Sequence, residues 1–197
     1  MAQDIDSENS RPLRADAQRN YDRLVAAARE VFTRDGGGAS MEAIAKQAGV
    51  GVGTLYRHFP KRIDVVEAVY RNDVEELRLE AEKAVANLEA WPAVVAFLEA
   101  FVRYAQTKRT FLQELREAFD KNPELKSHSR EVIDQAAQLV VGRAQSEGAI
   151  RTDVTGPDVM QLIGPMCTTA TLTEEQSKRL LAMILDGLQH PSVEHGL

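Results

Sequence analysis

A single cysteine in 197 residues, Cys167, rules out any internal disulfide. It stands in an apolar stretch and reads as core, and such a chain suits a reducing cytoplasm. No apolar run approaches the ~20 residues needed to span a bilayer. The N-terminus lacks the basic-then-apolar order of a secretory signal, so no membrane partner is expected. Seven prolines and twelve glycines are too few for a fibrous or low-complexity chain, and 44% hydrophobic residues are too many for global disorder. The four histidines, His58, His128, His190 and His195, fall at no metal-ligand spacing. Neither a nucleophile–base pair nor a phosphate-cradling loop is evident, so no catalysis, no metal and no cofactor are expected. Strand-like alternation is missing too, which leaves an all-α chain.

What is present is a segregated charge. The formal net charge is -6, yet residues 11–62 carry ten Lys/Arg against five Asp/Glu, a local +5. Residues 63–197 hold fourteen against twenty-two, or -8, and the first ten residues add -3. A basic unit on an acidic body suits phosphate contact at one end, while the remainder stays soluble and is repelled from DNA.

Helical periodicity orders the chain. Residues 1–13 read as a polar, flexible arm. Asp16 is placed to cap a first helix over about 17–34, with Leu24, Ala28, Val31 and Phe32 as its apolar stripe. Gly36-Gly37-Gly38 ends it. Ser40 caps a second helix over 41–48, Gly49 makes the turn, and a third helix covers 52–59 before Pro60. An unbroken stripe from Ile63 to Leu88 gives a fourth helix of about seven turns. Three more carry Val95 to Ala105, Phe111 to Phe119, and Leu125 to Glu147. Thr155-Gly156-Pro157-Asp158 and Thr173-Glu174-Glu175-Gln176 read as capping boxes opening the last two of nine helices. The expected organisation is an arm (1–13), a helix-turn-helix DNA-binding domain (14–62), a helical effector-binding and dimerisation domain (63–190) and a tail (191–197).

The third helix carries the chemistry. A helix enters the major groove only if its exposed face is slim and its surroundings hold the backbone. Gly51, Val52 and Gly53 keep its start narrow. Thr54 can donate to a phosphate or meet a thymine methyl, Tyr56 extends a hydroxyl, and Arg57 can grip guanine through two hydrogen bonds. His58, Lys61 and Arg62 are within reach of phosphates, and Ser40 with the free amides behind it can hold another. Leu55 and Phe59 face back towards Ile44, Ala45 and Phe32. A plain helical bundle with a solvated basic face would show some of these features. The agreement of helix spacing, turn glycine and local charge favours a groove reader.

The run from Ala43 to Arg62, with Gly49-Val50 and Gly53-Thr54-Leu55-Tyr56-Arg57-His58-Phe59-Pro60, resembles the N-terminal domain of TetR-family transcriptional regulators. The likeness extends back through Val25-Ala26-Ala27-Ala28-Arg29-Glu30-Val31-Phe32 and covers roughly residues 17–70. It implies that the third helix enters the major groove, that Thr54, Tyr56 and His58 touch DNA, and that Arg62, with Lys61 beside it, anchors a phosphate. Two positions depart from the family pattern. Gly51 stands where serine or threonine is usual, and Lys61 where serine often caps the fourth helix.

For the acidic body, the two terminal helices are the expected joint of a homodimer, through Val159, Leu162, Ile163, Leu181, Ile184, Leu185 and Leu188. The same residues can instead fill the monomer core. Trp91, Phe97, Phe101, Tyr104, Phe111, Phe119 and Met166 are candidates to line an effector pocket, with Arg103 and His128 as possible polar handles. The resemblance implies a cavity in this region, and the Gly148–Val154 and Leu185–Leu188 stretches resemble an actinobacterial subgroup. The expected function is a homodimeric repressor, released from a palindromic double-stranded DNA operator by a small-molecule effector. A helical protein-interaction module with a DNA-incompetent reader is the alternative.

Overall fold

The computed structural model describes residues 6–168 and 173–189, with side chains over 16–166 and 173–189. The Cys167 side chain, His190, His195 and the 191–197 tail lie outside the described residues. The described residues form α1 (Asp6–Asp35), a 3-10 turn (Gly36–Gly38), α2 (Met41–Ala48), α3 (Val52–His58), α4 (Arg62–Asn87) and α5 (Ala90–Arg109). They continue as α6 (Leu112–Lys121), α7 (Pro123–Ser146), α8 (Gly156–Thr168) and α9 (Glu174–Leu188). The fold is all-α, with nine α-helices among the described residues. It divides into two compact units. One is the chain up to Tyr70 together with Thr110–Ala118, and the other is Arg71–Arg109 with the chain from Phe119 onward.

In the first unit α1 packs on α2, and α2 on α3. Leu24, Ala28, Val31 and Phe32 of α1 are buried, as are Ile44, Ala45 and Ala48 of α2 and Leu55 of α3. Gly49 takes the left-handed conformation (φ 66°) that a β-carbon disfavours, and it closes α2. The Val50 amide then donates to Ala45 O at 3.0 Å and the Gly49 amide to Lys46 O at 3.1 Å. This paired return satisfies carbonyls the helix end would otherwise leave bare. Arg23 of α1 adds a bond from Nη2 to Ala48 O at 2.6 Å.

α1 begins well before the expected start near residue 17. Residues 6–13, read above as part of a flexible arm, are helical, and Asp16 lies inside the helix, paired with Arg19 rather than capping. Apolar periodicity marks only the turns that are buried. Polar turns can extend a helix without leaving such a stripe.

In the second unit α5 packs on α7 and α8, α7 on α8, and α8 on α9. Ala136, Ala137, Val140, Val141 and Ala144 give α7 a buried face of small residues that lets neighbours approach closely. The approach is tightest at Gly156, where an added β-carbon would lie 2.3 Å from Gln138 N and 2.6 Å from Ala137 C. Its amide donates to Gln138 Oε1 at 2.9 Å. Arg143 of α7 donates to Val85 O and, at 2.8 Å, to Leu88 O, supplying partners for the final carbonyls of α4. The capping box at Thr173 forms as expected: its hydroxyl accepts from the Gln176 amide, and the Gln176 side chain accepts from the Thr173 amide. At α8 the Asp158 carboxylate accepts from the Thr155 hydroxyl (2.6 Å) and amide (2.8 Å), which holds its pKa below the usual carboxylate value.

Candidate nucleic-acid interface

α3 is set on α2 by the Gly49 turn, and its first residues are open. Gly51, its N-cap, supplies no side-chain bond. Its carbonyl accepts from the Thr54 amide at 2.9 Å, and no heavy atom lies within 4 Å of a β-carbon built at Gly51 or Gly53. Val52, Gly53, Tyr56 and Arg57 are exposed, Tyr56 at 42%, and Thr54 is half-buried. Leu55 and Phe59 turn inward and are buried. These two anchors, four residues apart, fix the rotation of α3 and so decide which side chains face out. His58 is half-buried, its ring 6.3 Å from those of Tyr21 and Phe59. The outward face is thus Val52, Gly53, Tyr56 and Arg57, with Thr54 and His58 at its edges.

Around it, Ser40 Oγ accepts from the Ala43 amide at 3.0 Å, capping α2 as expected. Lys61 is exposed, and its amide donates to Asp64 Oδ2 at 2.8 Å. Asp64 therefore supplies the half of a capping box that returns to the residue before α4; the other half, a hydroxyl at 61 accepting from a first-turn amide, is absent with lysine there.

Arg62 corrects an expectation. Its guanidinium does not face outward towards phosphate. It donates to Ala39 O, to Gly37 O at 3.4 Å and to Glu114 Oε1 at 3.0 Å. It also lies 5.2 Å from the Phe32 ring centroid. A planar five-donor head suits such a multiple clamp, and holding it there ties the glycine loop before α2 to the start of α4. Glu114, 52 residues away, gave no local signal. Replacing Arg62 with Met should destabilise the protein by about 2 kcal/mol, because a part-buried carboxylate and a carbonyl lose their donors. Urea denaturation measures it; an unchanged midpoint would show the clamp to be idle.

The body candidates divide differently from the sequence grouping. Phe97, Phe101 and Tyr104 are buried, with the last two rings 5.7 Å apart, while Trp91 and Phe119 are half-buried. Phe111 does not join them. It is fully buried in the first unit, its ring 5.2 Å from that of Phe32. Arg103 and His128 are exposed. Met166 lines a separate groove of about 670 Å³ between α8 and α9, with Val159, Leu162, Leu180, Met183, Ile184 and Leu188 among its walls. Of the proposed joint residues, Ile163 is wholly buried in its own chain and offers a partner nothing. Leu162 is 62% exposed, and Leu181, Ile184 and Leu185 are half-buried. Met183, 67% exposed, is the most open of the large apolar side chains on this face. It was missed in the sequence, although Leu180, Met183, Ile184 and Gly187 follow a three-and-four spacing.

Among the described residues no cluster of His, Cys, Asp or Glu could hold a metal, and no helix is long and apolar enough to cross a membrane. A three-helix unit with α3 presented on a glycine turn is a helix-turn-helix fold. The family model for bacterial regulatory proteins of the tetR family matches residues 24–69. A second, described as the C-terminal domain of SbtR-like transcriptional regulators, matches residues 89–190. A TetR transcriptional regulator from Streptomyces coelicolor is 34% identical, covering 87% of this chain and 99% of that one, with a TM-score of 0.78. The TetR transcription regulatory protein from Mycobacterium vanbaalenii is 29% identical over 91% of this chain and 100% of its own, with a TM-score of 0.72. The HTH-type transcriptional regulator UidR of Escherichia coli is 26% identical over 147 residues, 72% of this chain and 74% of UidR. The chain belongs to the TetR family of transcriptional regulators, and its relatives imply DNA-binding regulation of transcription.

Proposed function

We propose that the protein is a cytoplasmic homodimer that reads a two-fold DNA operator with paired α3 helices and represses transcription until a small molecule releases it. The outward face of α3 carries this reading: Tyr56 and Arg57 stand exposed where Leu55 and Phe59 lock the helix from behind. Arg57 is suited to guanine and Tyr56 to a phosphate or base edge, with Thr54, His58, Lys61 and Ser40 around them for the backbone. Half-sites one turn apart, ~34–36 Å, demand two readers, and the apolar groove between α8 and α9 supports pairing through those helices. An effector bound among the α5 aromatics would favour one body conformation, and a coupling of ~1–3 kcal/mol suffices to weaken operator binding several-fold or more.

The test is selection of a duplex from a random pool, followed by affinity measurement across salt. Arg57→Ala should cost about 1–3 kcal/mol per half-site and relax the sequence preference. Tyr56→Phe should cost about 1 kcal/mol. The wild type should lose affinity steeply with salt, as phosphate contacts release counterions. Full operator affinity in both variants would reject these contacts, and failure to enrich any duplex would reject DNA reading.

A further inference from the structure

We propose that Glu114 is a positioning residue for DNA reading: acting through Arg62, it fixes the glycine loop from which α2 starts, and so sets how α2 and α3 meet the operator. The inference rests on the DNA reading above, and it concerns a carboxylate that the outward face of α3 does not include. Three glycines in a row, Gly36-Gly37-Gly38, give the backbone before α2 more freedom than other residues would. The loop has little to hold itself with. The Ala39 amide donates to Gly36 O at 3.1 Å, and a β-carbon built at Gly38 would meet nothing within 4 Å. The firmer contacts come from outside it. Arg62 donates to Ala39 O and, at 3.4 Å, to Gly37 O. Glu114 accepts from the same guanidinium at 3.0 Å, and its Oε1 lies 3.5 Å from a β-carbon built at Gly37. Thr110 O comes within 3.3 Å of the corresponding point at Gly36. All of these residues belong to the first unit.

Ser40, directly after the loop, caps α2, and α3 packs on α2. Play in residues 37–39 therefore moves the start of α2 and, with it, the reading helix. The side chains of Arg62 and Glu114 are 30% and 20% exposed, so their attraction is screened less than that of a surface pair. A charged acceptor also holds a guanidinium about twice as strongly as a neutral one. Without the carboxylate, Arg62 is drawn to the nearest other anion, which on an operator is a phosphate, and the loop loosens as DNA arrives. Ordering the loop at that moment costs binding energy that a preset loop keeps. Charge alone predicts the opposite sign. Glu114 is an anion on the DNA-reading unit, so removing it would strengthen attraction to any duplex.

The test uses the full chain and the duplex selected above. Glu114→Gln keeps the size and an acceptor oxygen but removes the charge. It should lose about tenfold in operator affinity, while affinity for a random duplex stays level or rises slightly. Both are measured at a temperature where circular dichroism shows wild type and variant equally folded, so a role in stability alone would leave operator affinity unchanged. Arg62→Met should lose at least as much on the operator. The double variant should lose no more than Arg62→Met, because the carboxylate acts only through the guanidinium. Should Arg62→Met fail to fold, Arg62→Lys takes its place in the cycle, since a point charge cannot span a carboxylate and two carbonyls. Unchanged or higher operator affinity in Glu114→Gln, an equal loss on the random duplex, or additive losses in the double variant would each overturn the proposal. A wild type that enriches no duplex removes the DNA reading, and this inference with it. A wild type that binds its operator no better than Glu114→Gln does removes this inference alone.

Discussion

Leu162→Glu combined with Met183→Glu should leave a folded monomer that has lost at least about a hundredfold in operator affinity, because two half-site energies no longer add. The two side chains are 62% and 67% exposed in the isolated chain, so charging them removes little of its own core. In a pair joined through α8 and α9 they would be buried from both sides, and four carboxylates would then face one another across an apolar seam. Like charges set together at an interface cost several kcal/mol. Sedimentation should show the loss of the dimer, and circular dichroism an unchanged helix content. A dimer that survives both substitutions would move the joint elsewhere; Val159 and Leu188, at 3% and 5% exposure, already lie in the core of the single chain.

Gly156→Ala should destabilise the protein by about 3 kcal/mol, the upper end of what inserting one methyl into a packed site usually costs. The new carbon would sit 2.3 Å from Gln138 N and 2.6 Å from Gln138 Cα, and both are backbone atoms inside α7. A flexible side chain could swing away, but a helix backbone cannot. Relief requires α8 to shift off α7, losing the Gly156–Gln138 bond and loosening Val159 and Ile163 in the core. Gly142→Ala, inside α7, is the control. A β-carbon there meets only Gln138 Nε2 at 3.5 Å, an ordinary contact, so alanine should stabilise by roughly 0.5–1 kcal/mol through helix propensity. Equal urea midpoints for the two variants would show that the close approach is not a constraint.

The features legible in the sequence were those whose cause is local. Ser40, Gly49 and Thr173 act within four residues of themselves, through caps and a left-handed turn, and each stands where its neighbours require it. Leu55 and Phe59 were legible because a four-residue interval fixes which side of a short helix turns inward. What was not legible depends on partners far along the chain. Arg62 is basic and opens a helix beside a DNA reader, so local reasoning sends it to phosphate; only folding brings Glu114 and the Phe32 ring to it. Phe111 reads as one more aromatic in a series, yet its neighbour is Phe32, 79 positions earlier.

The placement of Thr110–Ala118 with the first three helices has a practical side. A fragment stopped near residue 62 would strip the Phe111 cover from Phe32 and leave the Arg62 guanidinium without its carboxylate. The reader is therefore not a portable cassette: a hybrid regulator made by grafting α1 to α3 onto a foreign sensor must bring Phe111 and Glu114 along, or supply equivalents from the new host.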